Sequence, residues 1–175
     1  MSYCAQSTVL TPLGDMLLAC TPRGLAGAWF LEGQKDTPEA LEGVAYRPQE
    51  PLLHEAATQL SAYWRGDLHR FDLPLDLIGT EFQVQVWQHL LHIAHGEHRT
   101  YGDVARALSR PQGFRAVGMA VGRNPLSIIV PCHRVMGQDG WLTGYSGGMH
   151  RKEALLRHEG VPLDGQRVRL PTGAA

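Results

Sequence analysis

A cysteine followed directly by a histidine is the feature of this sequence with the clearest chemical potential. Cys132 stands after the apolar run 128–130 and Pro131, and it is followed by His133 and Arg134. A thiol is a nucleophile only as its thiolate, and burial alone raises its pKa, so it needs a nearby base or positive charge. His133 can act as the base, and Arg134 or a helix N-terminus can supply the charge. The same residues also fit an inert cysteine buried beside a charged turn.

The remaining cysteines and a group of histidines are weak candidates for a metal site. Cys4 and Cys20 lie in predicted strands and lack the CxxC spacing typical of zinc ligands. Four histidines recur at intervals of three, which would place them on one helix face: His89, His92, His95 and His98. Such a face is more often solvated than metal-binding. We expect no metal ion, and the odd, scattered cysteine count favours a reducing cytoplasm over a disulfide framework.

Composition excludes several classes of protein. The chain has 175 residues, 43% of them hydrophobic, which suffices for one compact unit or two small ones. No apolar run approaches the roughly 20 residues that span a bilayer, and the N-terminus shows no signal-peptide pattern, so we expect no membrane association. The net charge of −1 combines an acidic first half with an arginine-rich second half. A polyanionic partner would therefore contact the second half.

The elements that must position Cys132 divide into two lobes after residue 79. In the first lobe, short apolar runs separated by Pro/Gly turns predict a small antiparallel sheet over residues 3–31. Leu53, Ala57, Leu60 and Trp64 recur at intervals of three or four and predict a helix over 51–65 with these residues on its apolar face. Alternation predicts an extended stretch over 71–77.

The second lobe, residues 80–175, is predicted to be mostly helical. A capping-box pattern at Thr80 starts a helix that is expected to end near Gly96. Two short helices, over 100–108 and 113–122, flank a tight break. This arrangement makes them a helix-turn-helix candidate.

The segment around Cys132 completes the predicted fold. The β-branched apolar run 128–130 predicts a buried strand that delivers Cys132. A glycine-rich loop over 137–148 leads to a last helix over 150–158, and the Pro/Gly-rich tail from about residue 163 is expected to be loose. The fold class is therefore α+β.

From Thr80 to Gly160 the chain resembles the O6-alkylguanine-DNA alkyltransferases, or methylated-DNA–protein-cysteine methyltransferases. Residues 1–79 match only loosely, as the family's variable N-terminal α/β lobe, which is similar to a ribonuclease-H-like sheet. The second lobe would carry the alkyltransferase and DNA-binding functions. The matching motifs occur in the family's order: Phe82-Gln83 with Val86-Trp87, Thr100-Tyr101-Gly102, Arg115-Ala116-Val117-Gly118, Asn124-Pro125, Pro131-Cys132-His133-Arg134-Val135, Thr143-Gly144-Tyr145-Ser146-Gly147-Gly148 and Arg157-His158-Glu159-Gly160.

This resemblance implies DNA repair by direct damage reversal, with one turnover per molecule and no cofactor. Cys132 would irreversibly take the alkyl group of O6-alkylguanine, or of O4-alkylthymine, in DNA. His133 would deprotonate the thiol through a bridging water, and Glu159 would polarise His133. Asn124 would brace the loop that carries the cysteine. Tyr101 would crowd the phosphate 3′ to the lesion and could protonate the leaving guanine.

The resemblance also implies binding to the minor groove of double-stranded DNA that contains alkylated bases. Arg115 would enter the base stack and fill the gap left by the flipped nucleotide. Ala116 and Gly118 would let the helix backbone lie close to the groove. We expect a monomer in the cytoplasm, at the nucleoid when acting, and the sequence leaves cooperative binding on DNA open. The pocket for the flipped base would be lined by Val135, Tyr145 and Ser146.

Two departures from the family pattern stand out. Phe114 precedes Arg115 where the family usually carries a small residue, so it either packs inward or widens the groove contact. Zinc-bearing members place cysteine and histidine ligands in the N-terminal lobe. Here Cys20 is one position off that pattern and the histidine is missing, which argues against structural zinc.

Two alternative functions remain open. One is a DNA-binding module of the alkyltransferase-like type, which flips lesions without transfer. Those proteins commonly replace the acceptor cysteine with tryptophan, so Cys132 argues against this reading. The other is a cysteine hydrolase with a Cys-His-Glu relay. Adjacent Cys and His side chains diverge on an extended backbone, which makes a direct hydrogen-bonded pair awkward.

Overall fold

The first lobe is built on three antiparallel strands in a computed structural model that describes residues 2–169. Strand β1 covers Ala5–Val9, β2 covers Met16–Thr21 and β3 covers Gly24–Phe30, paired in the order β1-β2-β3. Every residue of β3 is buried, which its apolar and glycine sequence permits. The predicted antiparallel sheet is therefore confirmed.

Helix α1, Pro51–Arg65, packs on this sheet and confirms the predicted helix. The Glu50 carboxylate caps its start by accepting a first-turn amide at 3.0 Å. Gly66 ends the helix in the left-handed conformation, with φ of 81°. The stretch 71–77 was predicted to be extended. It forms no strand there and bridges β3 only at Leu75.

Four α-helices lie in the described part of the second lobe: α2 (Glu81–Leu90), α3 (Tyr101–Ala107), α4 (Phe114–Gly122) and α5 (Met149–His158). Capping boxes begin α2 at Thr80, as predicted, and α3 at Thr100. Helices α3 and α4 pack together on either side of a short turn. The two helices of the predicted helix-turn-helix are therefore present.

Helix α2 ends at Leu90, well before Gly96, so the predicted length was wrong. After Leu90 the helix ladder gives way to a turn in which the Ile93 amide donates to the Leu90 carbonyl at 2.9 Å. This turn buries Ile93, which is 2% exposed, in the main hydrophobic core. Burial of the Ile93 side chain stabilises the turn that ends α2 at Leu90.

The run 128–130 is a buried turn, so the predicted strand before the cysteine was wrong. Ile128 has φ of 74°, and the Val130 amide donates to the Leu126 carbonyl at 2.9 Å. The Asn124 side chain satisfies other backbone groups of the loop, so burial does not require a sheet partner. The run leads into a 3-10 helix, Cys132–Arg134.

Short strand pairs complete the second lobe. Strand β4 (Arg99–Thr100) pairs in parallel with β5 (Val135–Met136), which places the start of α3 beside the cysteine segment. Strands β6 (Leu163–Asp164) and β7 (Arg167–Val168) form a hairpin.

The hairpin corrects the expectation of a loose tail for residues 163–169. Leu163 and Val168 are buried in a small cluster with Met136 and Leu156, and this contact orders the hairpin. The rest of the predicted loose tail lies outside the described residues. Among the helices that are described, none is long and apolar enough to cross a membrane.

Candidate active site

Cys132 is the first residue of the 3-10 helix and is 2% exposed. Its amide donates to the Val130 carbonyl at 2.8 Å, so the preceding turn fixes its backbone. Burial raises the pKa of the thiol, while the neighbouring Asn124 amide and the Lys152 ammonium partly offset that rise. The cysteine is therefore a buried thiol that needs a proton acceptor to become a thiolate.

A buried ionic network lies behind the cysteine and centres on the carboxylate of Glu159, at the end of α5. Oε2 of Glu159 lies 2.8 Å from Nε2 of His133 and accepts the Tyr63 hydroxyl at 2.7 Å. Arg134 donates from Nε to Oε1 at 2.8 Å and from Nη2 to Oε2 at 2.9 Å. Burial alone would raise the pKa of Glu159, but His133 and Arg134 outweigh it and hold the pKa well below its usual range.

His133 therefore has two different ring nitrogens. Nε2 is bound to the Glu159 carboxylate, and a hydrogen bond to a carboxylate requires the proton on that nitrogen. Nδ1 is buried, and no residue within 2–169 hydrogen-bonds to it. Burial lowers the pKa of His133, and Glu159 only partly offsets this. The ring is thus a neutral imidazole whose unshared lone pair is on Nδ1.

Arg134 has a different partner from the one the sequence suggested. Besides its two bonds to Glu159, its Nη1 donates to the Ile93 carbonyl at 2.6 Å. The three hydrogen bonds that this guanidinium makes within residues 2–169 are therefore to Glu159 and Ile93 and not to the thiol. The positive charge that faces Cys132 belongs to Lys152 instead.

Lys152, in α5, is fully buried, and sequence reasoning missed it. Its Nζ donates to the carbonyls of Val135 at 2.5 Å, Thr143 at 2.9 Å and Gly144 at 3.3 Å. Burial lowers its pKa to about 8, and the nearby Cys132 opposes that shift. Lys152 thus ties the cysteine segment to the glycine-rich loop.

Asn124 hydrogen-bonds to the backbone of the loop that leads to Cys132. Its Nδ2 donates to the Val130 carbonyl at 2.9 Å, and its Oδ1 accepts the Leu126 amide at 2.9 Å. Both bonds are buried, so the Asn124 side chain satisfies backbone groups that water cannot reach.

A cavity of about 130 Å³ opens onto the thiol. The structure brings together here five of the residues named from the sequence and adds two further residues of α4 and one of the glycine-rich loop. Val135 lies outside the cavity walls, because its side chain is in the core and its carbonyl binds Lys152. The walls are formed by Tyr101, Gly118, Val121, Gly122, Cys132, Gly144, Tyr145 and Ser146.

Tyr101 lies at one side of this cavity. Its hydroxyl lies 3.4 Å from the Thr143 carbonyl and 3.3 Å from the Thr143 hydroxyl. A Cβ placed on Gly118 would lie 3.8 Å from the Tyr101 ring, so α4 passes close to it. Burial raises the pKa of Tyr101.

A larger groove of about 510 Å³ lies between the lobes and does not include the thiol. It is bordered by His69, His95 and Arg134 among others. The smaller cavity is the candidate active site, since Cys132 is in its wall and His133 is the next residue in the chain.

Helix α4 has one buried and one exposed face. Val117 and Ala120 pack in the core. The exposed face carries Arg115 and Ala116. Phe114 is 47% exposed with the Arg115 guanidinium 5.9 Å from its ring centre, so it does not pack inward.

The metal-ligand candidates are not assembled into a site. Cys4 precedes β1 instead of lying in a strand, and its sulfur is 3.7 Å from that of Cys20 in β2. Because α2 ends at Leu90, the four histidines do not share one helix face. Across residues 2–169, no group of three or more His, Cys, Asp or Glu side chains could hold a metal ion, so these residues do not fit a zinc site.

Two family models together match nearly the whole chain. The model described as 6-O-methylguanine DNA methyltransferase, ribonuclease-like domain, matches residues 5–77. The model described as 6-O-methylguanine DNA methyltransferase, DNA binding domain, matches residues 81–161.

Individual relatives are similar over most of their length. A methylated-DNA–protein-cysteine methyltransferase of Mycobacterium leprae is 52% identical over 149 residues, which is 85% of this chain and 88% of the relative. A protein of that name from Methanosarcina acetivorans is 45% identical, over 86% of this chain and 94% of the relative.

Solved structures agree with these relatives. The crystal structure of Mycobacterium tuberculosis O6-methylguanine methyltransferase has a TM-score of 0.81 and 42% identity, covering 91% of this chain and 96% of that one. The structure of Mycobacterium tuberculosis OGT in complex with DNA has a TM-score of 0.80 and 44% identity, covering 89% and 92%. The chain described here therefore belongs to the 6-O-methylguanine DNA methyltransferase family.

Proposed function

We propose that this protein repairs alkylated DNA directly by moving the alkyl group from O6 of guanine onto Cys132. The observation that carries this proposal is the placement of the Cys132 thiol at the wall of a small cavity, with the His133–Glu159 pair behind it. The sulfur–carbon bond forms as the carbon–O6 bond breaks, and the bond's electron pair leaves with guanine. The thioether has no easy route to hydrolysis, so each molecule acts once.

The proton of the thiol passes to His133. Nδ1 is the ring nitrogen with a free lone pair, and a bridging water would connect it to the sulfur, because adjacent side chains diverge. Glu159 stabilises the imidazolium that results, and the Lys152 ammonium favours the thiolate. Tyr101, at the cavity wall, would return a proton to the departing guanine.

The protein would meet its substrate through the exposed face of α4. A methyl group on O6 is inside the base stack, so the nucleotide must rotate out before sulfur can reach it. Arg115 is exposed on this face and would fill the gap, while Ala116 and Gly118 permit close approach to the minor groove. Tyr101 would crowd the adjacent phosphate. Tyr145 and Ser146 would hold the flipped base.

The working form that we propose is a monomer in the cytoplasm, associated with the nucleoid during repair. A reducing compartment keeps the acceptor thiol free, and the three cysteines are unpaired. O4-alkylthymine presents the same alkyl–oxygen bond and would be a second substrate.

Neither alternative function explains the site as well. A lesion-binding module without transfer would need no buried thiol with a histidine relay. A cysteine hydrolase would need catalytic turnover. The stoichiometry of the reaction distinguishes these functions, because a protein that irreversibly accepts the alkyl group gives one product per protein molecule.

The decisive experiment is intact-protein mass spectrometry after incubation with a duplex that contains O6-methylguanine. We expect one added methyl group, located on Cys132 by peptide mapping, and a repaired guanine in equal amount. Cys132→Ala should lose all transfer while it still binds the damaged duplex. An unmodified, folded wild-type protein would contradict the proposal, as would catalytic turnover. Loss of DNA binding in Cys132→Ala would assign the cysteine a structural role instead.

A further inference from the structure

Tyr63 connects the first lobe to the ionic network of the second. It lies in the last turn of α1 and is fully buried. Its hydroxyl donates to Oε2 of Glu159 at 2.7 Å, and the same oxygen lies 2.8 Å from Nε2 of His133. Tyr63 and His133 therefore share one carboxylate oxygen, which also accepts Nη2 of Arg134 at 2.9 Å.

The phenol ring of Tyr63 is packed among other aromatic rings, which restricts its movement. Aromatic rings surround it, with centroids 5.2 Å away for Trp64, 5.6 Å for Phe71 and 5.0 Å for His158. A second bond fixes the backbone, since Nε2 of His158 lies 2.9 Å from the Tyr63 carbonyl. The ends of α1 and α5 are thus joined at two points.

We propose that Tyr63 is a positioning residue for alkyl transfer, whose hydroxyl holds Oε2 of Glu159 against Nε2 of His133. This keeps the proton of the neutral imidazole on Nε2 and leaves the lone pair of Nδ1 for the thiol proton. The inference rests on the proposed function. It makes the first lobe a contributor to the chemistry as well as to the fold.

The hydroxyl also adjusts how strongly Glu159 attracts the proton on His133. A hydrogen bond from Tyr63 takes up part of the negative charge of Oε2, so its removal leaves more charge facing His133. The histidine would then hold its proton to higher pH. The other titratable groups that act on this pair are Arg134, Lys152, Tyr145 and His95. His158 packs against the Tyr63 ring.

Tyr63→Phe tests the inference by single-turnover kinetics across the neutral pH range. We expect transfer to slow by about five- to tenfold, equally for a methylated duplex and for free O6-benzylguanine, because base flipping is not affected. The midpoint of the pH–rate profile should move to higher pH by about half a unit. Affinity for the methylated duplex should not change.

Two further variants separate positioning from packing. Phe71→Leu loosens the same aromatic cluster but keeps the hydroxyl, so its pH midpoint should match wild type. Site-specific 3-fluorotyrosine at position 63 is a stronger donor of similar shape. It should restore the transfer rate and move the midpoint of the pH–rate profile to lower pH. This variant also tests the inference if Tyr63→Phe does not fold.

The outcomes distinguish this inference from the proposed function. If wild-type protein reacts but Tyr63→Phe keeps the wild-type rate and midpoint, the positioning role is overturned and the proposed function stands. If Phe71→Leu shifts the pH midpoint as much as Tyr63→Phe does, the effect comes from packing and not from the Tyr63 hydroxyl. If wild-type Cys132 takes no alkyl group at all, the proposed function itself fails.

Discussion

Glu159 is the residue on which the buried chemistry of this protein converges. Its carboxylate binds the histidine beside the thiol, the arginine that follows that histidine and a tyrosine from the other lobe. The charge of Arg134 would be costly to bury without it. Glu159 therefore combines a proposed catalytic role with a structural one, and the two can be measured separately.

Glu159→Gln should destabilise the protein strongly at neutral pH. The change leaves the Arg134 guanidinium buried without a countercharge, so we expect a loss of about 3–5 kcal/mol in the free energy of unfolding. Urea unfolding of both proteins measures this loss. A difference below about 1 kcal/mol would show that Arg134 finds other compensation.

The same variant should change how stability depends on pH. The pKa of Glu159 is depressed in the folded protein, so its contribution is present above the unfolded value of about 4.3 and is lost as pH falls below that value. Wild type should lose stability on acidification, and Glu159→Gln should lose less over the same interval. Equal acid sensitivity in the two proteins would contradict the assignment.

Helix α4 illustrates how one element serves the core and the surface together. Val117 and Ala120 pack inward, while Arg115 and Met119 remain exposed, Met119 at 72%. The glycine at position 118 brings the helix close to Tyr101 at the cavity wall. The helix that would enter the groove is therefore also a wall of the proposed base pocket.

Arg115→Ala should slow repair of a methylated duplex more than reaction with free O6-benzylguanine. The Arg115 side chain is exposed and packs against Phe114, not against the His133–Glu159 pair. Its loss should therefore affect extrusion of the base and leave the transfer step intact. We expect a rate reduction of at least about tenfold on duplex and little change on the free base. Single-turnover rates with both substrates check this.

Arg65→Ala is the matched control, because it removes a surface arginine from the other lobe whose one ion pair within residues 2–169 is with exposed Asp67. That variant should repair duplex at the wild-type rate. Equal slowing of both substrates by Arg115→Ala would count against a role in the base stack.

The two lobes are held together by buried polar contacts as well as by a shared core. Arg151 in α5 donates to the carbonyls of Leu13 at 3.0 Å and Glu32 at 2.6 Å in the first lobe, and to Gly147 at 2.8 Å in the second. Its guanidinium also lies 4.2 Å from the ring centre of Phe30. One side chain thus joins the sheet to the glycine-rich loop.

Arg151→Leu should weaken this junction by about 2–4 kcal/mol, because three carbonyls lose a charged donor. Urea unfolding followed by tryptophan fluorescence measures the loss. Arg157→Leu, on the same helix, removes an exposed pair with Glu153 and should change stability by less than about 0.5 kcal/mol. Similar effects from the two variants would show that Arg151 does not join the lobes.

Local signals explain which parts of the fold were predictable. The sheet, helix α1 and the start of α2 follow from turns and caps whose hydrogen bonds lie within a few residues. The buried turn at 128–130 was mistaken for a strand, because an apolar run looks the same whether a sheet or an asparagine side chain satisfies its backbone. The hairpin over 163–169 was missed since a distant cluster orders it.

The periodicity of α1 was assigned to nearly the right face. The pattern chosen from the sequence pointed Trp64 inward, whereas the structure buries Tyr63 with Leu53 and Leu60. A face shifted by one residue would have included Tyr63. Lys152 shares the buried face of α5 with Leu155 and Leu156, and this spacing is the signal that could have found it.

The amino-acid sequence alone was enough to predict the family, the antiparallel sheet and the five α-helices found within residues 2–169, because motifs and caps act between near neighbours. The folded chain was needed to pair Arg134 with Glu159, to place Lys152 beside the thiol and to bring Tyr63 onto a carboxylate 96 positions away. Buried polar groups must find partners wherever the lobes meet, and that meeting depends on the packing of the whole core.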